Sequence, residues 1–296
     1  MIRILATAFA ALAGLAFGSF LNVCLSRWPE GESIVKPRSH CRSCERTLAW
    51  WENIPLLSWL GLRGRCRTCN AWIGWRYPLV ELVVGTAWGI IGWRLISQIQ
   101  DVQLATVSQS SSFGFGILGA LGLMLFTWML VGLAVLDAEY LWLADAVTLP
   151  GIPLGIAYFI WLSEFTPHNS LTTFYLWKGL GERLAVAAVA ALLILLIRWL
   201  YKLVRKREGI GLGDAKLMAM LAAWLGLEGA LLSFFLGVAL GSVAAIITIV
   251  RHSKHTSDEN WALQKLPLGT FLCIGGIISA LYGQPIIDWY LHLSGL

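Results

Sequence analysis

Long apolar runs fill most of this chain, and short polar breaks separate them. A run of about 20 apolar residues is long enough to cross a bilayer as an α-helix. By this criterion we predict eight transmembrane helices, at residues 2–23, 79–98, 113–136, 146–163, 181–202, 214–229, 231–250 and 267–291. Only a short polar break separates the sixth run from the seventh, which leaves a count of seven open. The pattern predicts an all-α polytopic membrane protein.

Composition agrees with a location in the lipid bilayer. Hydrophobic residues make up 57% of the 296 residues and charged residues only 13%, whereas a soluble domain carries about 25% charged residues. Sixteen tryptophans suit the aromatic belts that flank a bilayer. The formal net charge of +5 therefore bears on topology, and we expect no nucleic-acid partner.

Basic residues predict the orientation of the spans, since they concentrate in residues 26–77, 202–207 and 251–265. With eight spans these three segments lie on one side of the membrane, and the positive-inside rule makes that side cytoplasmic. Both termini would then face outward. The first run shows no convincing signal-peptide cleavage site, so we expect it to stay as a transmembrane helix.

The one long polar segment, residues 26–77, carries two Cys-x-x-Cys knuckles with 21 residues between them. The four cysteines are Cys41, Cys44, Cys66 and Cys69. Two disulfides are the alternative, which a reducing cytosol disfavours. The spacing favours a tetrahedral zinc site in a zinc-ribbon-like module, with a structural role because four thiolates leave no open coordination position. The other two cysteines, Cys24 and Cys273, are expected to be small buried hydrophobic residues.

Two aspartates lie at the ends of predicted spans. Asp137 ends the third span and Asp214 begins the sixth, inside the glycine-rich stretch 209–216, so both reach the cytoplasmic side. Acidic residues at membrane depth mark functional sites. Two neighbouring carboxyl groups share a proton, which is the arrangement of aspartic proteases. The helix dipole favours Asp214 as the base of such a pair.

The residues alone leave other roles open for these acids. They could be helix caps, or they could form a proton relay in a transporter. Asp145, eight residues after Asp137, is expected to be the N-cap of the next helix.

Several further motifs occur in a fixed order along the chain. They are Gly18-Ser19-Phe20-Leu21-Asn22-Val23, Arg27-Trp28-Pro29, the two knuckles, Arg76-Tyr77-Pro78-Leu79-Val80-Glu81, Asp137, Thr148-Leu149-Pro150 and Gly211-Leu212-Gly213-Asp214. Together they resemble the type IV prepilin peptidases, the membrane aspartic proteases of pilus and type II secretion systems. The resemblance covers nearly the whole chain.

The resemblance implies that Asp137 and Asp214 are the catalytic pair and that the four knuckle cysteines hold zinc. It implies a multi-pass enzyme of the bacterial inner membrane whose active site faces the cytoplasm. Such an enzyme cleaves the basic leader from type IV prepilins or type II secretion pseudopilins. It then N-methylates the new N-terminal residue with S-adenosylmethionine.

The same resemblance divides the chain into three parts. A first transmembrane helix spans residues 1–25, a cytoplasmic four-cysteine module associated with methyl transfer spans 26–77, and the peptidase domain spans 78–296. A peptidase without methyltransferase activity is one alternative. A proton-coupled transporter with a zinc-ribbon domain is an alternative of a different class. The residues that bind S-adenosylmethionine and the oligomeric state do not follow from the sequence.

Three positions depart from the usual pattern of that family. Arg42 follows the first knuckle cysteine and Ala144 precedes Asp145, each where proline is common, and Leu268-Gly269-Thr270 replaces a Phe-Gly-Pro-like segment. No departure removes a carboxylate or a knuckle cysteine. We expect Ala144 to loosen the turn beside Asp137.

Two further expectations concern packing at the membrane boundary. Gly18 is expected to allow close helix packing, because small residues let two backbones approach. Arg76 and Glu81 are expected to form an interfacial ion pair, with a role in methyl transfer left open.

Overall fold

The structure is a computed structural model that describes residues 1–104, 109–163, 172–206, 211–252 and 266–295. Its α-helices are α1 (Ile2–Arg27), α2 (Leu57–Gly61), α3 (Arg76–Leu104), α4 (Gln109–Tyr140), α5 (Asp145–Ser163), α6 (Thr172–Arg205), α7 (Leu212–His252) and α8 (Leu268–Ser294). Two short 3₁₀ helices span Trp28–Glu30 and Trp50–Asn53. Over the described ranges there is no β-strand, only two isolated β-bridges. The prediction of an all-α protein is confirmed.

Seven of the described helices, all except α2, are long and apolar enough to cross a membrane. The helix α7 has 41 residues, and a straight helix of that length would measure about 60 Å, about twice the hydrocarbon thickness of a bilayer. It is interrupted at Gly226, whose φ of 76° few residues other than glycine adopt. The two arms of α7 correspond to the predicted sixth and seventh spans. The predicted break at 230 was misplaced by four residues, because a glycine conformation ends the first arm.

The chain divides into two compact units, Met1–Gly132 and Leu133–Leu296. In the first unit, α1 and α3 pack through small residues. A Cβ atom added at Gly14 would lie 2.8 Å from the carbonyl oxygen of Val84, and one at Gly18 would lie 2.8 Å from Cα of Glu81. Both distances are too short for a real side chain, so the two helix backbones are in direct contact. The predicted packing role of Gly18 is confirmed.

In the second unit, α7 packs against α5, α6 and α8. The first arm of α7 is the most deeply buried segment, since Leu217, Met218 and Leu221 have no exposed surface. Near the end of this arm the indole nitrogen of Trp224 donates a 2.8 Å hydrogen bond to the carbonyl oxygen of Gly151. That bond fixes α5 against α7.

Candidate active site and candidate metal site

Asp137 and Asp214 lie where the sequence predicted, at a helix end and a helix start. Asp137 is in the last turn of α4, and its carbonyl oxygen accepts a 2.9 Å hydrogen bond from the N–H of Leu141, where the chain leaves the helix. Asp214 is in the first turn of α7, and its Oδ2 accepts a 3.0 Å bond from the N–H of Gly211. That bond satisfies one of the free donors at the helix start. Asp137 is 6% exposed and Asp214 8% exposed.

One leucine side chain connects the two acidic positions. Cδ1 of Leu143 lies 3.1 Å from the position that a Cβ would take at Gly213, the residue before Asp214. The same methyl group lies 3.0 Å from the corresponding position at Gly269, which in turn is 3.0 Å from Cγ of Asp137. The structure therefore brings the two aspartates into one small, largely buried site.

Thr270 binds Asp137 through two groups. Its backbone N–H donates to Oδ2 of Asp137 over 2.7 Å, and its hydroxyl lies 3.1 Å from the same oxygen. The hydroxyl is also 3.0 Å from the carbonyl oxygen of Ala134. It can therefore donate to an ionised Asp137, or donate to Ala134 while accepting a proton from a neutral Asp137. In the sequence, residue 270 stands out only as a departure from the family pattern, and we predicted no role for it.

Asp145 forms an ion pair and is not the N-cap of α5. The helix α5 begins at Asp145 itself. The Ala144 carbonyl accepts the first N–H bonds, from Val147 and Thr148, each over 3.0 Å. The Asp145 carboxylate instead accepts two bonds from Nζ of Lys216, at 2.7 and 2.9 Å. This pair joins the N-terminus of α5 to the N-terminal part of α7, two residues beyond Asp214.

The four knuckle cysteines come together as predicted. Their sulfur atoms all lie within 4.8 Å of one another, and Sγ of Cys41 is 3.7 Å from Sγ of Cys69. Four thiolates at about 2.3 Å from a zinc ion would be about 3.8 Å apart, which these positions approach. All four are free cysteines, which excludes the disulfide alternative in this structure. The cluster is therefore able to bind a metal ion.

The two knuckles have the same backbone geometry. In each, the first cysteine accepts a hydrogen bond at its carbonyl from the residue four positions later, Glu45 or Asn70, over 2.8 and 3.0 Å. Both of these residues have positive φ, 56° and 58°. An isolated β-bridge then closes each turn, His40 with Thr47 and Arg65 with Trp72. Each knuckle therefore orients its two sulfur atoms in the same way.

A buried ion pair supports the first knuckle. Arg46 binds Glu52 through two nitrogen–oxygen contacts of 2.9 and 2.7 Å, and the Glu52 side chain is 1% exposed. The N–H of Ala49 adds a third bond of 2.7 Å to the carboxylate. The guanidinium of Arg46 holds the pKa of the Glu52 carboxyl below its usual range, and burial opposes this effect only in part. The ionised pair therefore fixes the chain on the C-terminal side of the first knuckle.

The remaining expectations concern single residues. Cys24 and Cys273 are 1% and 0% exposed, which confirms them as buried residues. The expected ion pair between Arg76 and Glu81 does not form. Arg76 donates to the hydroxyl of Ser26 over 2.9 Å, and Glu81 accepts from the N–H of Leu56 over 2.8 Å.

Comparison with known proteins finds a peptidase family match in each half of the chain. Residues 12–95 match the bacterial peptidase A24 N-terminal domain, and residues 123–246 match the type IV leader peptidase family. Among curated relatives, the prepilin leader peptidase/N-methyltransferase of Stutzerimonas stutzeri is 32% identical over 97% of this chain and 94% of its own length. The protein of the same name from Aeromonas hydrophila is 34% identical over 95% of this chain and 92% of its own. No solved structure matches the chain.

Proposed function

We propose that this chain, which belongs to the type IV leader peptidase family, is a membrane aspartic endopeptidase that removes the leader of prepilins and then N-methylates the new N-terminus. One observation carries the peptidase half: Asp137 and Asp214 are both buried and lie on either side of the Leu143 side chain, in one site. The name of the relatives supports both activities. It also favours a peptidase over a proton-coupled transporter.

Asp137 is the general base in this proposal. Its Oδ2 has two potential donors from Thr270, and hydrogen bonds to a charged group contribute about 1.5–3 kcal/mol each. Asp214 accepts one backbone bond from Gly211 and lies at a helix N-terminus, whose effect is about 0.3–1 kcal/mol. The negative charge is therefore stabilised more strongly on Asp137. The helix dipole favoured Asp214 as the base, and the hydrogen bonds from Thr270 outweigh that effect.

Peptide hydrolysis then follows without a covalent intermediate. Asp137 takes a proton from a water molecule held between the two acids, while the protonated Asp214 gives its proton to the scissile carbonyl oxygen. The water oxygen bonds to the carbonyl carbon and forms a neutral tetrahedral diol. Asp137 returns its proton to the leaving nitrogen as the C–N bond breaks. One diol hydroxyl gives its proton back to Asp214, which restores the starting state of the pair.

The proposed substrates are type IV prepilins or type II secretion pseudopilins, cut at the cytoplasmic face of the bacterial inner membrane. The seven long apolar helices support a multi-pass protein. Basic residues outnumber acidic ones in the cysteine module and in the loop after α6. By the positive-inside rule these segments face the cytoplasm. In this proposal residues 1–25 are the first transmembrane helix, residues 26–77 are the cytoplasmic cysteine module, and residues 78–296 are the peptidase domain.

Zinc is the proposed metal of the four-cysteine cluster, because four thiolates at nearly tetrahedral spacing are the donor set that zinc prefers. Cys41, Cys44, Cys66 and Cys69 would hold it, and the ion would join the two knuckles. Its role is structural. S-adenosylmethionine is the proposed methyl donor, and it supplies an electrophilic methyl group on a positively charged sulfur.

Co-expression with a candidate prepilin tests the proposal. Mass spectrometry should show loss of the leader and a further gain of one methyl group on the mature N-terminus. Asp137→Asn and Asp214→Asn should each abolish leader loss while the protein still inserts in the membrane. Asp288→Asn, which changes an exposed carboxylate on α8, is the matched control and should leave cleavage unchanged.

Different negative results of this experiment contradict different parts of the proposal. Normal processing by either active-site variant would refute the catalytic pair. Leader loss without methylation would leave a peptidase alone. Proton flux in liposomes without any cleavage would support the transporter. Elemental analysis of the purified protein that finds no metal would refute the zinc site.

A further inference from the structure

The first compact unit contains a cavity that the peptide-cleaving site does not use. Its volume is about 600 Å³, within the about 300–1,000 Å³ that small-molecule sites occupy. The second half of α1, the cysteine module and the start of α3 line it. We call the part between α1 and α3, lined by Ser19, Asn22, Tyr77 and Glu81, the cavity floor.

Asn22 places an unpartnered acceptor at the cavity floor. The residue is 2% exposed, and its amide nitrogen donates to the carbonyl oxygen of Tyr77 over 3.0 Å. Its Oδ1 is buried and has no hydrogen-bond partner in the described part of the chain. A buried amide oxygen without a hydrogen-bond partner is unfavourable, because burial has removed the water that would otherwise bind it. A ligand with a donor group would satisfy it.

Glu81 places a buried carboxylate beside this acceptor. The residue is 7% exposed. It accepts a 2.8 Å bond from the N–H of Leu56, and the hydroxyl of Ser19 also reaches it. Both donors are neutral, and among the described residues no cationic side chain forms an ion pair with Glu81. An ionised carboxylate that is buried without a countercharge is strongly unfavourable.

Of the other acids that line the cavity, Glu32 and Glu45 are exposed to solvent, and the remaining two have cationic partners. Glu52 pairs with Arg46 over 2.7 Å, and Glu30 pairs with Arg42 over 3.2 Å. The guanidinium of Arg27 is engaged by the backbone carbonyls of Ser33 and Pro37, each at 2.7 Å. Among the acids that line the cavity, Glu81 is therefore the one that is buried and forms no ion pair in the described part of the chain.

We propose that the cavity floor is an onium-binding site, in which Glu81 is the counterion and Oδ1 of Asn22 a second acceptor for a positively charged ligand group. This inference rests on the proposed function, because N-methylation brings two such groups together. One is the sulfonium of the methyl donor, and the other is the ammonium of the newly exposed N-terminus. The aromatic rings of Trp59 and Trp72 line the cavity and favour a cation of either kind.

Direct binding measurements on the purified full-length protein test the site without relying on turnover. One pair of probes is S-adenosylmethionine and S-adenosylhomocysteine, which differ in the charged sulfur. The other pair is a peptide with a free N-terminal amine and the same peptide after N-acetylation. Each affinity is measured by equilibrium dialysis for the wild type, Glu81→Gln and Asn22→Leu. Glu228→Gln, at an exposed residue of α7 outside the cavity, is the matched control.

Glu81→Gln should weaken one charged probe by about tenfold to a hundredfold, the effect of losing a charge-assisted contact, and leave its neutral counterpart unchanged. Asn22→Leu should weaken the same probe by a smaller factor. A loss confined to S-adenosylmethionine identifies the sulfonium as the ligand. A loss confined to the free-amine peptide identifies the ammonium. Wild-type affinity of Glu81→Gln for both charged probes would overturn the proposal.

Folding and function are checked on the same samples. Glu81→Gln should retain the metal content and melting temperature of the wild type, because a glutamine oxygen can still accept from the N–H of Leu56. Equal weakening of charged and neutral probes would show a collapsed cavity and would overturn the assignment of Glu81 as a counterion. Failure of the wild type to methylate a cleaved prepilin would refute the methyltransferase half of the proposed function alone. The binding data would still decide whether the cavity floor takes a cation.

Discussion

Replacing Thr270 with valine removes one hydroxyl from the active site and keeps the side-chain shape. The backbone N–H of residue 270 still donates to Oδ2 of Asp137 over 2.7 Å, so the variant loses only the hydroxyl contact at 3.1 Å. The lost contact is the longer of the two, which places it at the low end of hydrogen bonds to charged groups, about 1.5 kcal/mol. A loss of that size in transition-state stabilisation lowers kcat/KM about tenfold.

The assay is cleavage of a purified prepilin by the enzyme in liposomes, followed over time by mass spectrometry. Thr270→Ser is the control, since it keeps the hydroxyl and should cleave within about twofold of the wild type, which is a difference well under 1 kcal/mol. Thermal melting separates a folding defect from an active-site defect. Unchanged cleavage by Thr270→Val, or an equal loss in Thr270→Ser, would refute the role of this hydroxyl in holding Asp137.

Three further predictions test other contacts. Gly269→Ala should slow cleavage, because its Cβ would lie 3.0 Å from Cγ of Asp137 and would displace that carboxyl group by a few tenths of an ångström; an unchanged rate would contradict a fixed position of Asp137. Lys216→Met should lower the melting temperature only slightly, because half-exposed ion pairs contribute about 0–1 kcal/mol, and a large loss would show a stronger coupling of α5 to α7. Arg46 lowers the pKa of the Glu52 carboxyl group. The ion pair therefore contributes its full stabilisation above the unfolded carboxyl pKa of about 4.3. This stabilisation is lost as the pH falls through the lower pKa of the folded state. Zinc release measured against pH should therefore show an acid step that Glu52→Gln lacks, and an identical profile in that variant would contradict the assignment.

The features that follow from the sequence are those with short spacing or long apolar runs. Two Cys-x-x-Cys pairs predict a four-sulfur cluster because each knuckle is a local turn, and only the meeting of the two depends on the fold. The apolar runs predict the membrane helices for the same reason. The end of the first α7 arm was misplaced because the chain breaks at Gly226, where no polar residue marks it.

The contacts of the active site come from residues far apart in the chain. Thr270 is 133 positions from Asp137, and Lys216 is 71 positions from Asp145. A lone aspartate before a helix resembles a cap when its partner is unknown, and for this reason the prediction for Asp145 was wrong. The contact of Thr270 with Asp137 could not be predicted either, because the two residues are far apart in the sequence and no helical period links them. The departure of Leu268-Gly269-Thr270 from the family pattern was the one signal in the sequence, and it does not indicate a contact with Asp137.

Leu56 connects the metal cluster to the cavity floor. It lies between the two knuckles with a φ of 58°, and in that conformation its N–H reaches Glu81. A zinc ion that joins the knuckles would hold this segment in place, and a ligand on Glu81 would favour the same arrangement. Thermodynamic reciprocity then requires each to strengthen the binding of the other by the same factor. Zinc depletion would lower the affinity of the cavity for its ligand, although the metal has no open position at which to touch that ligand.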